Sequence, residues 1–315
     1  MKKLIYTIIL LAGLAILQAC TKNYLELPSF EVSTSKSSFT AGEAIEFKFS
    51  GNPNMITFYS GVQGNKFENR NRVTAQGIPT LQFTSLAANG TQTNSLHLMV
   101  SSDFEGKGIG GDSAALSNIA KATWTDITSR AILSSGTSTA SGTIDLSDFA
   151  SMGKPIYIAF KYTAETGSIQ RKWTISGLTV INTLPDLTVY TLANHTSTAI
   201  SNYGNSNLFS PGWVAYKVSN SFNWVVSTTS LVITGATTAA AATAPAEAWG
   251  FSGPINLEKV TPDLGIIVKD ITTKAILYST KYTLPGTYTA TFVGSNTSVY
   301  SEVEKVSKKN VTITP

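Results

Sequence analysis

The chain has 315 residues, 42% of them hydrophobic and only 13% charged, against ~25% charged in an average soluble domain. That length exceeds one typical domain, so two domains or one large β unit are expected. A single Cys excludes a disulfide framework and a Cys-based metal site, and a net charge of +4 gives no support to nucleic-acid binding, which needs a concentrated basic stripe.

Residues 1–19 read as an export leader. Lys2 and Lys3 form a positive start and Leu4 to Leu17 an apolar stretch, of signal-peptide length and short for a membrane span. The leader ends at Leu17-Gln18-Ala19-Cys20, a small residue followed by a thiol, which is the pattern of a lipoprotein cleavage site. Cys20 is the predicted lipidation residue, since the diacylglyceryl group is attached through its sulfur before cleavage. No other segment approaches ~18 consecutive apolar residues, so contact with the membrane is expected through the lipid alone. Loss of Lys2 and Lys3 leaves 21 of 23 basic residues against 19 acidic ones, a nearly neutral mature chain. Residues 20–29 form a tether. Its run Thr21-Lys22-Asn23-Tyr24 leaves both the surface-exposed and the periplasmic face open.

Strands follow. Glu31-Val32-Ser33 opens, Ala41-Gly42 turns, and Ala44 to Phe49 sets Ile45, Phe47 and Phe49 on one face, the period of two of a half-buried strand. The turn Ser50-Gly51-Asn52-Pro53 leads into Met55 to Tyr59. The middle supplies further strand candidates: Thr80 to Ser85, Asn94 to Ser101, Ile119 to Ile127, Gly142 to Ile144, Ile156 to Tyr162, Lys172 to Val180, Thr188 to Tyr190, Gly212 to Val218, Phe222 to Val226 and Ser230 to Ile233. Turn residues recur between them at the spacing of a sandwich or jelly roll. Leu146 to Phe149 reads as a single helical turn. Thr237 to Ala248 suits a short helix or an Ala-rich loop, and Pro245 favours the loop. At the end, Tyr288, Ala290 and Phe292 alternate with Thr287, Thr289 and Thr291 after the turn Pro285-Gly286, and Val311 and Ile313 mark a closing strand. Lys305, Lys308 and Lys309 protect an edge there.

Phe39-Thr40-Ala41-Gly42-Glu43-Ala44-Ile45-Glu46-Phe47 and Tyr282…Pro285-Gly286-Thr287-Tyr288…Phe292…Asn296 resemble the polycystic-kidney-disease-type immunoglobulin-like module. That resemblance implies one sandwich assembled from both ends of the chain. Ile56-Thr57-Phe58-Tyr59-Ser60-Gly61 stands where the module has Trp-Asp-Phe-Gly-Asp-Gly, so no role of those acids carries over. Ala122-Thr123-Trp124-Thr125-Asp126-Ile127, Ser141-Gly142-Thr143-Ile144-Asp145-Leu146-Ser147 and Lys154-Pro155-Ile156-Tyr157-Ile158-Ala159-Phe160-Lys161-Tyr162 are similar to the accessory jelly rolls of exported bacterial proteins. With the lipobox, these features resemble a family of Bacteroidota outer-membrane lipoproteins classed as a domain of unknown function. Members often accompany starch-utilisation-type uptake systems, which implies polysaccharide and an uptake complex as partners.

The expected architecture is therefore all-β. A discontinuous Ig-like sandwich at 30–70 plus 255–315 holds an inserted jelly-roll-like sandwich at 71–254.

Chemistry is sparse. His97 alternates outward from Leu96 and Leu98 and reads as structural, as does His195 in Leu192-Ala193-Asn194-His195-Thr196. There is no nucleophile elbow, and the scattered acids offer no glycosidase pair, so a non-catalytic protein is expected. Glu105-Gly106-Lys107-Gly108-Ile109-Gly110-Gly111-Asp112 lacks the ending of a phosphate loop. With Asp103, its Glu105 and Asp112 could hold a structural Ca²⁺, a hard cation that takes several oxygen ligands. Pyranose faces stack on aromatic rings. Trp124, Trp173 and Trp224 lie inside alternating strands and read as core, whereas Trp213, Trp249 and Tyr203 lie near loops, where ligand residues concentrate. Glycan capture is the first expectation for function. A structural or adhesive surface protein that binds another protein is the alternative, and a glycan-active hydrolase is a third.

Overall fold

The structure, a computed structural model, describes residues 25–106, 111–195 and 212–315. Cys20 and Tyr203 lie outside the described residues. The chain divides into two compact units, Met1–Arg72 with Pro262–Pro315, and Val73–Thr261. Both are β-sandwiches, and we call them the outer and the inner unit. Among the described residues no helix is long and apolar enough to cross a membrane.

The outer unit opens with β1 (Phe30–Thr34), β2 (Ser38–Thr40), β3 (Ala44–Gly51) and β4 (Met55–Tyr59). The inner unit contributes β5 (Ile78–Ala88), β6 (Leu96–Ser101), β7 (Thr125–Asp126), β8 (Thr139–Ala140), β9 (Ile144–Asp145) and β10 (Tyr157–Ala164). It continues with β11 (Lys172–Thr183), β12 (Val189–Asn194), β13 (Trp213–Ser219), β14 (Val225–Val226), β15 (Ser230–Thr234) and β16 (Ala246–Ser252). The chain then returns to the outer unit for β17 (Ile266–Lys269), β18 (Leu277–Lys281), β19 (Gly286–Thr297) and β20 (Glu302–Thr314).

In the outer unit a three-stranded sheet β1-β3-β18 faces a five-stranded sheet β17-β4-β19-β20-β2. Three of the four strands from the first part of the chain pair with strands from the last: β3 with β18, β4 with both β17 and β19, and β2 in parallel with β20, while β1 adds to β3. The alternation that buries Ile45 and Phe47 and exposes Ala44, Glu46 and Lys48 makes β3 one wall of the core. Phe292 of β19 fills the centre, 4.9 Å from the Phe47 ring and 4.7 Å from the Phe58 ring. Full burial of one such ring contributes roughly 1.5–3 kcal/mol. Phe30 packs where Gly294 has no side chain, since a Cβ there would lie 2.6 Å from its ring.

The inner unit stacks a five-stranded sheet β13-β16-β10-β6-β7 against a larger one ordered β14-β15-β11-β5-β8, to which β12 and β9 add. Leu81, Leu98, Ile158, Phe160, Ile175, Val180, Trp224 and Ile233 belong to the core between them. Two buried polar side chains are paired within this core: the Trp173 indole donates to Ser95 Oγ at 3.0 Å and the Tyr162 hydroxyl to the Arg171 carbonyl at 2.9 Å. Burial pushes the Tyr162 phenol up to about 12.

Several elements differ from the sequence reading. Ile119 to Ile127 is not one strand. A helix runs Gly111–Lys121, with Ala115 and Ile119, four apart, both buried, and only Thr125–Asp126 pairs as a strand. The Ala-rich segment turns and then enters β16 at Ala246. Ile255 and Leu257 join the inner core, and the bridges Thr74↔Lys259 and Ile156↔Ile255 carry the inner unit to Thr261, where the sequence reading ended it at 254.

Residues 25–72 on their own lack β17, β18, β19 and β20. We expect that fragment to show no cooperative unfolding transition by circular dichroism in urea; a sharp transition would contradict the shared sandwich. In the whole chain, Phe292→Ala should cost the outer unit about 3–5 kcal/mol, read by amide hydrogen exchange of its strands. Tryptophan emission should stay unchanged, because all five Trp lie in the inner unit.

Candidate functional site

The outward face of the five-stranded inner sheet gathers the chemistry. Alternation turns Leu98, Phe160 and Ala248 into the core, so their neighbours point the other way. Cross-strand register aligns Tyr216, Trp249, Lys161 and His97 in one row across β13, β16, β10 and β6. Trp124, just ahead of β7, lies over Trp249 with ring centroids 4.9 Å apart at 46°. The helix Gly111–Lys121 covers the adjoining part of this face, where Ala115 and Ile119 pack with Phe104 and Phe251. The end of the helix also holds the exposed ring in place, as the Trp124 indole donates to the Ile119 carbonyl at 3.1 Å.

Charged groups border the rings. Glu247 accepts from the Trp249 indole at 2.7 Å and lies 3.4 Å from the Lys161 ammonium, which sits 5.4 Å from the Trp249 ring centre. His97 is bonded at Nδ1 to Asp126, 2.9 Å away, and at Nε2 to the Asn94 carbonyl, 3.1 Å away. Both neighbours are acceptors, so both bonds form together only when both ring nitrogens carry a proton. Burial pushes the Asp126 carboxyl up, but hydrogen bonds from Thr128 and His97 outweigh it and hold it below the ordinary range. The result is a half-buried indole flanked by a Lys–Glu pair and a His–Asp pair. Such a surface can stack an apolar ring face and bond hydroxyls around it.

The structure redistributes the aromatic candidates. Trp213 and Trp249, read as loop-proximal ligand residues, are each only 4% exposed. Trp213 is the inward residue at the start of β13, stacked on Phe160 at 5.9 Å. Trp249 is not at a loop exit but inside β16, which pairs on both edges. Neither offers a free face. Trp124, read as core, is the one of the three left half-exposed, because it stands outside the strand register. Trp173 and Trp224 are core, as their alternation indicates.

The cation loop has a different use for Asp103. Its carboxylate accepts from Ser101 Oγ at 2.7 Å and from the Thr123 amide at 2.9 Å, which pins the return from the helix, and these bonds lower its pKa, Ser101 most of all. The side chain of Asp112 lies outside the described residues. Among those described, no three metal-ligating side chains gather, and Glu105 joins no such group. His195 is buried and donates from Nε2 to the Ser227 carbonyl at 3.0 Å, and its Nδ1 has no hydrogen-bond partner among the described residues.

Hollows also lie elsewhere among the described residues. In the outer unit a groove of about 400 Å³ is lined by Val62, Ile266, Lys281, Tyr282, Leu284 and Tyr288. In the inner unit a hollow of about 230 Å³ lies over Gln82, Thr84, Thr143 and Gly177. Tyr282 and Tyr288 bond to the backbone carbonyls of Ser60 and Leu284, so their hydroxyls are engaged in shaping the groove.

A family model described as Domain of unknown function (DUF5017) matches residues 19–200. No curated protein and no solved structure matches the chain.

Burial lowers the His195 pKa from its ordinary 6.5, so the unfolded chain takes up a proton that the folded chain resists. Stability is then fully present above about pH 6.5 and declines as pH falls below it. We expect the urea midpoint followed by Trp emission to drop between pH 7.5 and 5.5, and His195→Gln to flatten that slope. An unchanged slope in the variant would show that His195 is not the group responsible.

Proposed function

The chain belongs to the DUF5017 family, and from that premise we propose that it is a non-catalytic cell-envelope lipoprotein that captures glycan beside an outer-membrane uptake complex. The observation that carries glycan capture is the Trp124 ring, half-exposed and braced on Trp249 between the Lys161–Glu247 and His97–Asp126 pairs. Sugar recognition calls for this combination, an apolar plate with hydrogen-bonding groups at its rim. Anchoring through Cys20 is supported by the leader that precedes it. The outer membrane of a Bacteroidota-type envelope is the proposed location, by the resemblance to lipoproteins of such envelopes.

The test is affinity electrophoresis of the mature chain on a polysaccharide panel, with and without EDTA. One polymer should retard the protein, and Trp124→Ala should weaken that binding at least about tenfold, the effect of losing a stacking contact of ~1.5 kcal/mol. Loss of retardation with EDTA would bring back the cation loop. Turnover of the polymer that disappears in Asp126→Asn or Glu247→Gln would overturn the non-catalytic part. Absence of retardation by any polymer would favour a protein partner instead.

A further inference from the structure

The end of the outer sandwich from which the tether emerges is apolar, and we infer that it seats on the lipid bilayer interface, making a second, non-covalent membrane contact beside the anchor. Four segments meet at that end. The tether is fixed there by the Asn296 side chain, which donates to the Glu26 carbonyl at 3.1 Å, and by the Asn52 amide, which donates to the Ser29 carbonyl at 3.1 Å. Asn296 also accepts from the Asn54 amide at 3.0 Å, which ties the end of β19 to the turn before β4. Lys269 donates to the Pro53 and Asn54 carbonyls at 2.6 and 3.1 Å, and the Phe49 amide to the Ile276 carbonyl at 2.8 Å. The loop from β17 to β18 is thereby held at the same end. The β19–β20 hairpin closes there too, from Thr297↔Glu302 through the turn at Ser298–Ser301.

Each of the three protruding segments carries large apolar side chains into solvent. Leu27 is 64% exposed on the tether, Ile271 74% and Ile276 76% on the loop, and Val299 90% and Tyr300 82% at the hairpin tip. Scattered exposed apolar residues need no explanation, but a cluster on one end of a domain does. Turn chemistry would be served by polar residues: Asp270 already caps its own turn through Thr272 and Thr273, and Ser298 caps the hairpin. Nothing in either turn requires Ile271, Val299 or Tyr300.

The occupant follows from chain length. This inference rests on the reading of Cys20 as the lipidated residue. Leu27 follows it by only seven positions, and a fully extended chain spans at most ~3.3–3.6 Å per residue, so this end stays within about 25 Å of the acyl chains. Tyr at a membrane surface sits at headgroup level, with its ring toward the hydrocarbon and its hydroxyl in water. The connections to the inner unit leave from the other end of β4 and β17, past Tyr59 and before Ile266, so they do not compete for this surface.

The test uses the full chain with its leader, produced in a lipidating bacterial host and reconstituted into phosphatidylcholine–phosphatidylglycerol vesicles. A lipidated Cys20 leaves no free thiol, so Val299→Cys, Ile271→Cys and, as control, Leu284→Cys at the other end each take one nitrobenzoxadiazole label. All three positions are exposed, and the substitutions leave the core untouched. The expected result is a blue shift and loss of iodide quenching for labels at 299 and 271, relative to the same labels on the soluble Cys20→Ser form, with no change at 284. Protein that floats with the vesicles while the labels at 299 and 271 stay as quenchable as the one at 284 would overturn the seating and leave the anchor intact. Protein that carries no lipid and does not float would overturn both.

Discussion

The outer unit depends on the pairing of β4 with β19, which joins Thr57 and Phe58 to Val293 and Phe292 across most of the chain. The hydrogen bond that ends this pairing, from Asn54 to Asn296, spans 242 positions. Closing so long a loop from a disordered chain costs entropy, although the cost rises only slowly with length. The inner unit removes most of that cost, because it returns the chain almost to where it departed. On its side of the junction the Val260 amide donates to the Val73 carbonyl at 3.0 Å. On the outer side buried Asp263 meets Arg72 at 3.5 Å and accepts from the Lys66 amide at 2.8 Å. Once the inner unit is folded, the two halves of the outer sandwich are presented to each other by a clamp only a few residues wide. The Phe47, Phe58 and Phe292 cluster then has a short search to complete.

The inner sheet shows how one strand period can serve two purposes. Inward residues of β6, β10 and β16 make an aliphatic and aromatic core, and the outward ones make a row of Trp249, Lys161 and His97. Rings on an open sheet face would ordinarily be mobile. Here the helix covers part of the face, Trp249 supports Trp124 from below, and the Ile119 carbonyl fixes its indole nitrogen. A plate held in this way loses little side-chain entropy on binding, which is how a shallow surface gains affinity without a deep pocket.

Much of this was legible in the sequence where the period was clean. Ile45 and Phe47, and Tyr288, Ala290 and Phe292, alternate without interruption and marked the strands, while the link between the chain's ends came from the resemblance to an immunoglobulin-like module. Legibility failed where a strand lacks alternation or β-branched residues. Ile266 to Val268 is a short continuous apolar run with two Ile side chains outward, Leu277 of β18 faces solvent, and β16 is built largely from Ala, Gly and Trp, poor strand formers apart from the Trp. The helix Gly111–Lys121 is only weakly amphipathic, with Ser and Asn among its turns, and a Gly-rich loop before it suggested irregular structure. These errors moved the aromatic site. Without β16, Trp249 looked like a loop residue. With Ile119 to Ile127 read as one strand, Trp124 looked buried. Which indole a ligand could reach depended on the helix that ends at Lys121 and on strand pairing across more than eighty residues, and neither has a local signal.

The central claim is that the two ends of the chain form one sandwich independent of what is inserted between them. The most direct measurement excises the inner unit: Arg72 is joined to Pro262 by a short Gly-Ser linker, feasible because Arg72 and Asp263 already touch. Urea unfolding of that protein is then followed by circular dichroism and amide NMR. A single cooperative transition with dispersed amide signals is the predicted result. A chain without a cooperative transition, while the excised Val73–Thr261 segment folds alone, would show that the outer strands need the inner unit and would contradict the account.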